Sequence, residues 1–265
     1  MTRIVSAAVL AAVLFGTVWL LPWWATAVLA AVAAALATRE VNGIAAAAGV
    51  KLWTPTEMLA VGVVVRLVFQ RPNAMDAVGW PVLMAVVVGA GLLRLAAGPP
   101  SPSTFTRFRV LAVAPFYVGL PLGALASIAR TNGPGPLTWM IVLIAASDSA
   151  QYYSGRAFGR HKLAPSVSPA KTVEGAIGGL VVATLVAVVA GLWWLPGVGP
   201  AEAALLGLLL AAFGMAGDLF ESLLKRSAGV KDSSTIIPGH GGVLDRLDSY
   251  LFAAPCFYIF LRYVQ

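Results

Sequence analysis

The chain has 265 residues, of which 59% are hydrophobic and only 11% are charged, with a net charge of +7. A typical soluble domain has about 25% charged residues, so this composition excludes an ordinary soluble protein and indicates one integral membrane domain over residues 1–265. In such a chain, excess Lys and Arg reports orientation in the membrane, so no nucleic-acid partner is expected.

Nine apolar runs approach the length of about 20 residues that a helix needs to span a bilayer. They are residues 4–21, 24–38, 57–70, 77–97, 108–128, 137–156, 174–195, 200–219 and 247–264. We therefore expect an all-α polytopic protein with about nine transmembrane helices. Residues 1–135 would form a lipid-facing scaffold, and residues 136–265 would form the catalytic part.

Two N-terminal segments need a separate interpretation. The first run resembles a signal peptide, but it ends in Leu20-Leu21-Pro22-Trp23-Trp24, which is typical of an aromatic interface anchor. We expect it to be retained as a helix. The short apolar segment Val41–Val50 is expected to lie at the membrane interface or to re-enter the membrane.

The positive charges predict the orientation. With nine spans, every Lys and Arg falls on one side except Arg66, Arg71, Arg130 and Arg262. That side also holds the two large polar loops, 157–173 and 220–246. By the positive-inside rule it is cytoplasmic, and the lack of soluble extensions fits a multi-pass protein of a bacterial inner (plasma) membrane.

Asp148 lies at the cytoplasmic end of the sixth predicted span, in an otherwise uncharged run. An ionisable residue at this depth is expected to be functional, although it can also serve only to pair with a buried Arg.

A second polar block follows at Ser168–Gly175. Ser168 and Pro169 suit the first positions of a helix, and a helix start beside Lys171 would bind an anion. The alternative is a capped helix start without a ligand.

The eighth span ends in four polar residues that share one helix face, Asp218, Glu221, Ser222 and Lys225. Such a face can also be the wet end of an amphipathic helix.

The ninth span begins with Asp245 and Asp248, which also share a face. Acidic faces on two neighbouring helices can jointly hold a divalent cation through oxygen ligands. The chain has one cysteine and no HExxH motif, so zinc is not expected.

Between these two helices lies the glycine-rich turn Ile237–Gly242, which contains His240. Glycines let the backbone approach a ligand and present amide groups to an anion. Carboxylates for Mg²⁺, cations for phosphates and flexible glycines together indicate phosphoryl or nucleotidyl transfer. At the cytoplasmic mouth of the C-terminal helices, such a site would bring a soluble nucleotide to a lipid phosphate.

The stretch SLLKRSAGVKDSSTIIPGHGGVLDRLD, Ser222 to Asp248, resembles the signature of the phosphatidate cytidylyltransferase (CDP-diacylglycerol synthase) family. Asp148, the run YYSGRAFGR from Tyr152 and the block Ser168–Gly175 are similar to a second block of that family. Ala170 departs from the pattern, where a second Lys would be expected. The resemblance covers roughly 145–250 and implies Mg²⁺-dependent transfer of CMP from CTP to phosphatidic acid, giving CDP-diacylglycerol and pyrophosphate in phospholipid biosynthesis.

The resemblance also implies roles for individual residues. The catalytic set would be Asp218, Lys225, Asp245 and Asp248. The metal ligands would be Asp218, Asp245 and Asp248, with Asp148 as a further partner. The substrate-binding residues would be Ser168, Lys171, Thr172, Ser222, Arg226, Lys231, Asp232, His240, Gly241, Gly242 and Arg246. A monovalent cation such as K⁺ beside Mg²⁺ is left open, and a homodimer is the default symmetric assembly.

Three other functions are alternatives. A CTP-dependent polyprenol or lipid kinase would also be membrane-bound, use CTP and need Mg²⁺, but it would transfer the terminal phosphate and release CDP. A CDP-alcohol phosphatidyltransferase would need a paired-Asp signature that the sequence lacks. An ion-coupled transporter is disfavoured because phosphate-binding cations cluster in one loop and the two halves show no symmetry.

Overall fold

The computed structural model describes residues 2–50, 59, 61–64 and 104–263, with side chains from residue 5 onward and, after the gap, from residue 116. The described helices are α1 (Thr2–Leu20), α2 (Trp23–Ala47), α3 (Thr104–Thr131), α4 (Pro134–Phe158), α5 (Val173–Trp194), α6 (Pro200–Ser227) and α7 (Leu244–Tyr263). Two short antiparallel strands, β1 (Lys162–Ala164) and β2 (Ser168–Thr172), lie between α4 and α5.

The helices follow the apolar runs closely, so the prediction of a mostly helical protein is confirmed. The predicted run 77–97 lies outside the described residues, and 57–70 reaches them only at residues 59 and 61–64, which are helical. Helix α6 continues eight residues past the predicted end at 219, because its polar last turns pack into the site. Residues 41–47 belong to α2, so Val41–Val50 is not a separate interfacial or re-entrant segment.

Three of the described helices, α2, α5 and α6, are long and apolar enough to cross a membrane, and α1 contains a shorter apolar stretch from Val5 to Leu20. Their outward faces carry large exposed apolar side chains, as Val28, Leu185 and Leu205 illustrate. Exposed apolar surface of this kind is what a lipid-facing helix presents, so the protein is a membrane protein.

Helices α4 and α5 approach each other closely because α5 places a small, buried residue at every fourth position. These residues are Gly175, Gly179, Ala183 and Ala187. A Cβ atom added at Gly179 would collide with the side chain of Gln151 on α4. Small residues at membrane helix interfaces allow this close backbone contact, which fixes the position of the polar end of α4.

The core beneath the polar end is built around Trp139 of α4, which is fully buried. Its Nε1 donates a hydrogen bond to the Ala187 carbonyl of α5 at 3.0 Å. Its ring centroid lies 5.2 Å from that of Phe257 on α7. One side chain thus links three helices that carry site residues at their ends.

The predicted helix start at Ser168-Pro169 is wrong. Ser168–Thr172 is extended and pairs with Lys162–Ala164, and α5 begins only at Val173. The residue that caps α5 is Thr172, whose Oγ1 accepts the Gly175 amide hydrogen at 3.1 Å. Pro169 is tolerated because a short two-stranded hairpin leaves strand edges where no amide donor is required.

Candidate active site

A cleft of about 1230 Å³ opens between the hairpin, the polar ends of α4, α6 and α7, and the segment 228–243 that joins α6 to α7. Most of the predicted site residues line it. They are Asp148, Ser168, Lys171, Thr172, Asp218, Lys225, Lys231, Asp232, His240, Gly241, Asp245, Arg246 and Asp248. The other predicted residues, Ser222, Arg226 and Gly242, do not lie on the cleft wall as the described residues form it.

Strand β2 brings Lys171 to the acidic end of α6. Its Nζ lies 2.5 Å from Oδ2 of Asp218. Asp218 also accepts a hydrogen bond from Ser222 Oγ, one turn later on α6, at 3.4 Å. Ser222 therefore supports Asp218, whereas the sequence had predicted a substrate contact for it.

Lys225 lies between two carboxylates. Its Nζ donates to Glu221 Oε1 at 2.9 Å and to Asp245 Oδ1 at 2.5 Å. The Glu221 side chain is fully buried. The sequence placed Glu221 on the polar face of α6 but gave it no role. Its burial next to Lys225 makes it part of the site.

Asp245 is held by more than its ion pair. Its Oδ2 accepts hydrogen bonds from Ser233 N (3.0 Å), Ser233 Oγ (2.8 Å) and Gly242 N (2.8 Å). Asp245 precedes the predicted span 247–264. Burial alone would raise the pKa of its carboxyl, but the hydrogen bonds from Lys225, Gly242 and Ser233 hold that pKa well below its usual range. The group is therefore an anion that organises the segment before α7.

The predicted metal ligands do not form one cluster. Within the described residues, no three carboxylate, imidazole or thiol groups are gathered closely enough to hold an ion together. Both carboxylate oxygens of Asp245 already accept hydrogen bonds from protein donors. The carboxylates of Asp148, Asp218 and Asp248 also line the cleft, and their negative charges repel one another. Mg²⁺ in phosphate-transfer sites is usually held by one or two carboxylates plus substrate phosphates. This acidic wall offers that number of carboxylates, and Mg²⁺ binding stays a prediction.

The predicted hydroxyl and guanidinium contacts are partly used within the protein. Thr172 lines the cleft, but its hydroxyl caps α5. The exposed Arg226 donates to the Val230 carbonyl at 3.4 Å and so braces the segment after α6. Both residues shape the site, and their predicted contacts with substrate remain predictions.

The glycine-rich turn has a defined shape. His240 N donates to the Ile237 carbonyl at 2.9 Å, and Gly239, the residue after Pro238, has φ of 77°. Pro followed by a residue with positive φ is the signature of a type II turn. The turn is fixed to the N-terminal helix, because His240 Nδ1 lies 2.7 Å from Ser6 Oγ of α1.

Sequence reasoning did not identify the acidic residue Glu40 as part of the site. Glu40 on α2 is only 3% exposed, and its carboxylate accepts hydrogen bonds from the segment that joins α6 to α7 and from the start of α7, such as that from Leu244 N at 2.7 Å. The available signal was a lone acidic residue in an apolar run, which is costly to bury without partners. Its partners lie near the other end of the chain and could not be inferred from spacing.

A membrane protein with cations and carboxylates facing each other across a large polar cleft has the features of an enzyme that handles phosphates at the membrane surface. The comparison with known proteins gives the family. The chain matches the family described as the cytidylyltransferase family over residues 1–264, and it belongs to that family.

Individual relatives agree with this assignment. The phosphatidate cytidylyltransferase of Synechocystis sp. is 34% identical, over 98% of this chain and 95% of its own length. The phosphatidate cytidylyltransferase of Bacillus subtilis is 40% identical over 60% of each chain. The uncharacterized protein YnbB of Escherichia coli is 43% identical over 52% of this chain. The matched part spans only 47% of YnbB and 60% of the Bacillus subtilis protein.

Proposed function

We propose that this protein is a phosphatidate cytidylyltransferase, which transfers the cytidylyl group of CTP to phosphatidic acid and releases pyrophosphate. The observation that carries the proposal is the cleft itself. Lys171, Lys225, Lys231 and Arg246 share its wall with Asp148, Asp218 and Asp248. Two of the relatives that match the chain are named for this activity.

The reaction needs little proton chemistry. An oxygen of the phosphatidate phosphate attacks the α-phosphorus of CTP, and the bond from that phosphorus to the bridging oxygen breaks. Pyrophosphate leaves with the electron pair. A phosphate monoester is largely ionised near pH 7, so no strong general base is required. The main barrier is repulsion between anions, which fixed cations lower.

The cations of the cleft suit this task. Lys171 and Lys225 are fixed by carboxylates at 2.5 Å, so they can face phosphate oxygens without first being ordered. Lys231, Asp232 and His240 line the cleft from the segment 228–243 that joins α6 to α7. There they would contact the nucleotide.

Mg²⁺ is the proposed cofactor, and Asp218 and Asp248 are its proposed ligands, with Asp148 beside them. Bound there, Mg²⁺ would neutralise charge on the phosphates during transfer. In this assignment Asp245 positions Lys225 and the α7 start and does not bind the ion. A second, monovalent cation and a homodimer stay predictions.

The proposal includes the topology. About nine spans in a bacterial inner membrane, with the cleft facing the cytoplasm, would give the site access to CTP in water and to phosphatidate in the inner leaflet. The apolar faces of α2, α5 and α6 support a multi-pass arrangement. Activity in inverted vesicles but not in sealed right-side-out vesicles, with CTP added outside, would test the orientation.

The activity is tested with purified protein in detergent, phosphatidic acid, Mg²⁺ and CTP labelled at the α-phosphate. The expected products are labelled lipid and one pyrophosphate per lipid labelled. CTP labelled at the γ-phosphate should leave the lipid unlabelled. A parallel assay supplies a polyprenol as acceptor, because phosphatidic acid lacks the free hydroxyl that such a kinase phosphorylates. Label from the γ position in that lipid would instead show the lipid kinase, and no label in either assay would contradict both functions.

A further inference from the structure

The carboxylate of Glu40 is saturated by one distant segment. Its Oε1 accepts hydrogen bonds from Ser234 Oγ (2.6 Å) and Val243 N (3.0 Å). Its Oε2 accepts hydrogen bonds from Ser233 Oγ (3.0 Å) and Leu244 N (2.7 Å). These donors lie 193 to 204 residues further along the chain. With the side chain almost fully buried, Glu40 fixes both ends of the segment 233–244.

The position explains why the acceptor is a carboxylate. Val243 N and Leu244 N are at the start of α7, where the first amide hydrogens of a helix have no partner within the helix. A negative charge there is stabilised by the helix dipole. A glutamine would offer one acceptor atom and turn an amide donor toward the remaining donors. The site thus requires an anion with two acceptor atoms.

Gly242 makes the approach of Glu40 possible. A Cβ atom at this position would meet the Glu40 carboxylate and the Ser233 hydroxyl at less than van der Waals distance. Gly242 does not line the cleft formed by the described residues. Its packing against Glu40 is a role that the sequence did not predict, and its contact with substrate stays a prediction.

A short path leads from Glu40 to the cleft. Ser233 Oγ lies 3.0 Å from Glu40 Oε2 and 2.8 Å from Asp245 Oδ2, so a single hydroxyl proton is shared between two carboxylates. Asp245 in turn holds Lys225. The segment that Glu40 fixes also carries cleft residues, including Thr235 and His240.

We propose that Glu40 is a positioning residue for the transfer reaction. It holds the segment 233–244, and through Ser233 it holds Asp245, so that Lys225 and the glycine-rich turn Ile237–Gly242 face CTP. The inference rests on the proposed function. It also gives the N-terminal helices a part in the site, in addition to the scaffold role expected for residues 1–135.

The test uses Glu40→Gln in the full-length protein, with Glu202→Gln as the matched control. Glu202 also caps a helix, since its Oε2 accepts the Gly199 amide hydrogen at 3.1 Å, but it lies at the opposite end of α6 from the site. For Glu40→Gln we expect the KM for CTP to rise about tenfold, the effect of losing roughly 1.4 kcal/mol of binding. Glu202→Gln should stay within about twofold of wild type.

KM separates positioning from general support of the fold. A merely structural role would lower the amount of active enzyme and the melting temperature without changing the KM of the molecules that remain folded. An unchanged KM for CTP in Glu40→Gln would therefore overturn the proposal.

A second variant covers the case in which Glu40→Gln does not fold. Ser233→Ala removes only the shared hydroxyl, and a KM for CTP raised about threefold in a folded protein supports the path, whereas a wild-type KM overturns it.

Calorimetric titration with CTP separates the two proposals. If wild type binds CTP but transfers no cytidylyl group, the proposed reaction fails, and weaker CTP binding by Glu40→Gln than by Glu202→Gln still supports the positioning role. Equal binding by both variants, or none by wild type, overturns it.

Discussion

Lys171 Nζ and Asp218 Oδ2 lie 2.5 Å apart, which joins the hairpin to the last turns of α6 across the cleft. Lys171 is the cation paired directly with the acidic wall, which also contains Asp148 and Asp248. The pair therefore balances charge within the site and gives a fixed position to a group that can face phosphate.

Replacing Lys171 by Ala should lower kcat/KM for CTP by about 100-fold, since removal of one fixed electrostatic contact to a transition state commonly costs that much. The control is Lys162→Ala, an exposed lysine of the same hairpin that should retain near wild-type activity. Steady-state kinetics of both variants, with circular dichroism to compare folding, checks the result. Equal activities in the two variants would remove Lys171 from the site.

The carboxylates should separate into two groups in a Mg²⁺ titration. Asp218→Asn and Asp248→Asn should raise the Mg²⁺ concentration needed for half-maximal activity by about tenfold or abolish turnover, because ligands are lost. Asp245→Asn should lower turnover strongly, because Lys225 loses one of its two carboxylate partners, yet leave the Mg²⁺ midpoint of the residual activity unchanged. If Asp245→Asn shifts the Mg²⁺ concentration needed for half-maximal activity, Asp245 is a metal ligand after all.

At Gly217, α6 packs tightly against α7 beside the site. A Cβ atom there would collide with the backbone carbonyl of Asp248, which cannot rotate away as a side chain can. We expect Gly217→Ala to destabilise the protein by about 1–3 kcal/mol and to reduce activity by displacing Asp248. Gly43→Ala is the control, because a Cβ atom at Gly43 on α2 meets no atom of the described residues within 4 Å. This substitution should be neutral or slightly stabilising. Melting temperatures in detergent compare the two.

Trp139 should affect stability and leave the chemistry unchanged. Trp139→Phe loses the hydrogen bond to the Ala187 carbonyl, which keeps its own partner within α5, and leaves a cavity where the indole was. We expect a cost of about 1–3 kcal/mol for the two effects together. The exposed Trp193 provides the control. The free energy of unfolding of Trp193→Phe should stay within about 0.5 kcal/mol of the wild-type value. KM for CTP should be unchanged in both variants. A raised KM in Trp139→Phe would show that the core reaches the site.

Apolar runs and residue types predicted the helices and most of the cleft. Asp218 and Lys225 could be placed together because helical spacing puts residues i and i+7 on one face. The error at Ser168-Pro169 shows the limit of local signals. Both residues suit a helix start, but pairing with Lys162–Ala164 kept them extended, and the cap fell to Thr172.

Contacts between the two halves of the chain could not be predicted. The sequence around Glu40 and around Ser6 carries no motif that marks either residue as part of the site. Their hydrogen bonds to the segment before α7 exist only once distant helices have packed. The division of roles between Asp245 and Asp248 was hidden for a similar reason. Both occupy the same face of α7, but different neighbouring elements meet them.

Glu40 also bears on the order in which the protein is made. During synthesis, N-terminal elements fold first, and α2 is complete before any residue of the segment 233–244 has been added. The start of α7 therefore meets an acceptor that α2 already carries when it leaves the ribosome. The carboxylate of Glu40 then accepts the first amide hydrogens of α7 as that helix packs. The cleft forms only when the chain is nearly complete.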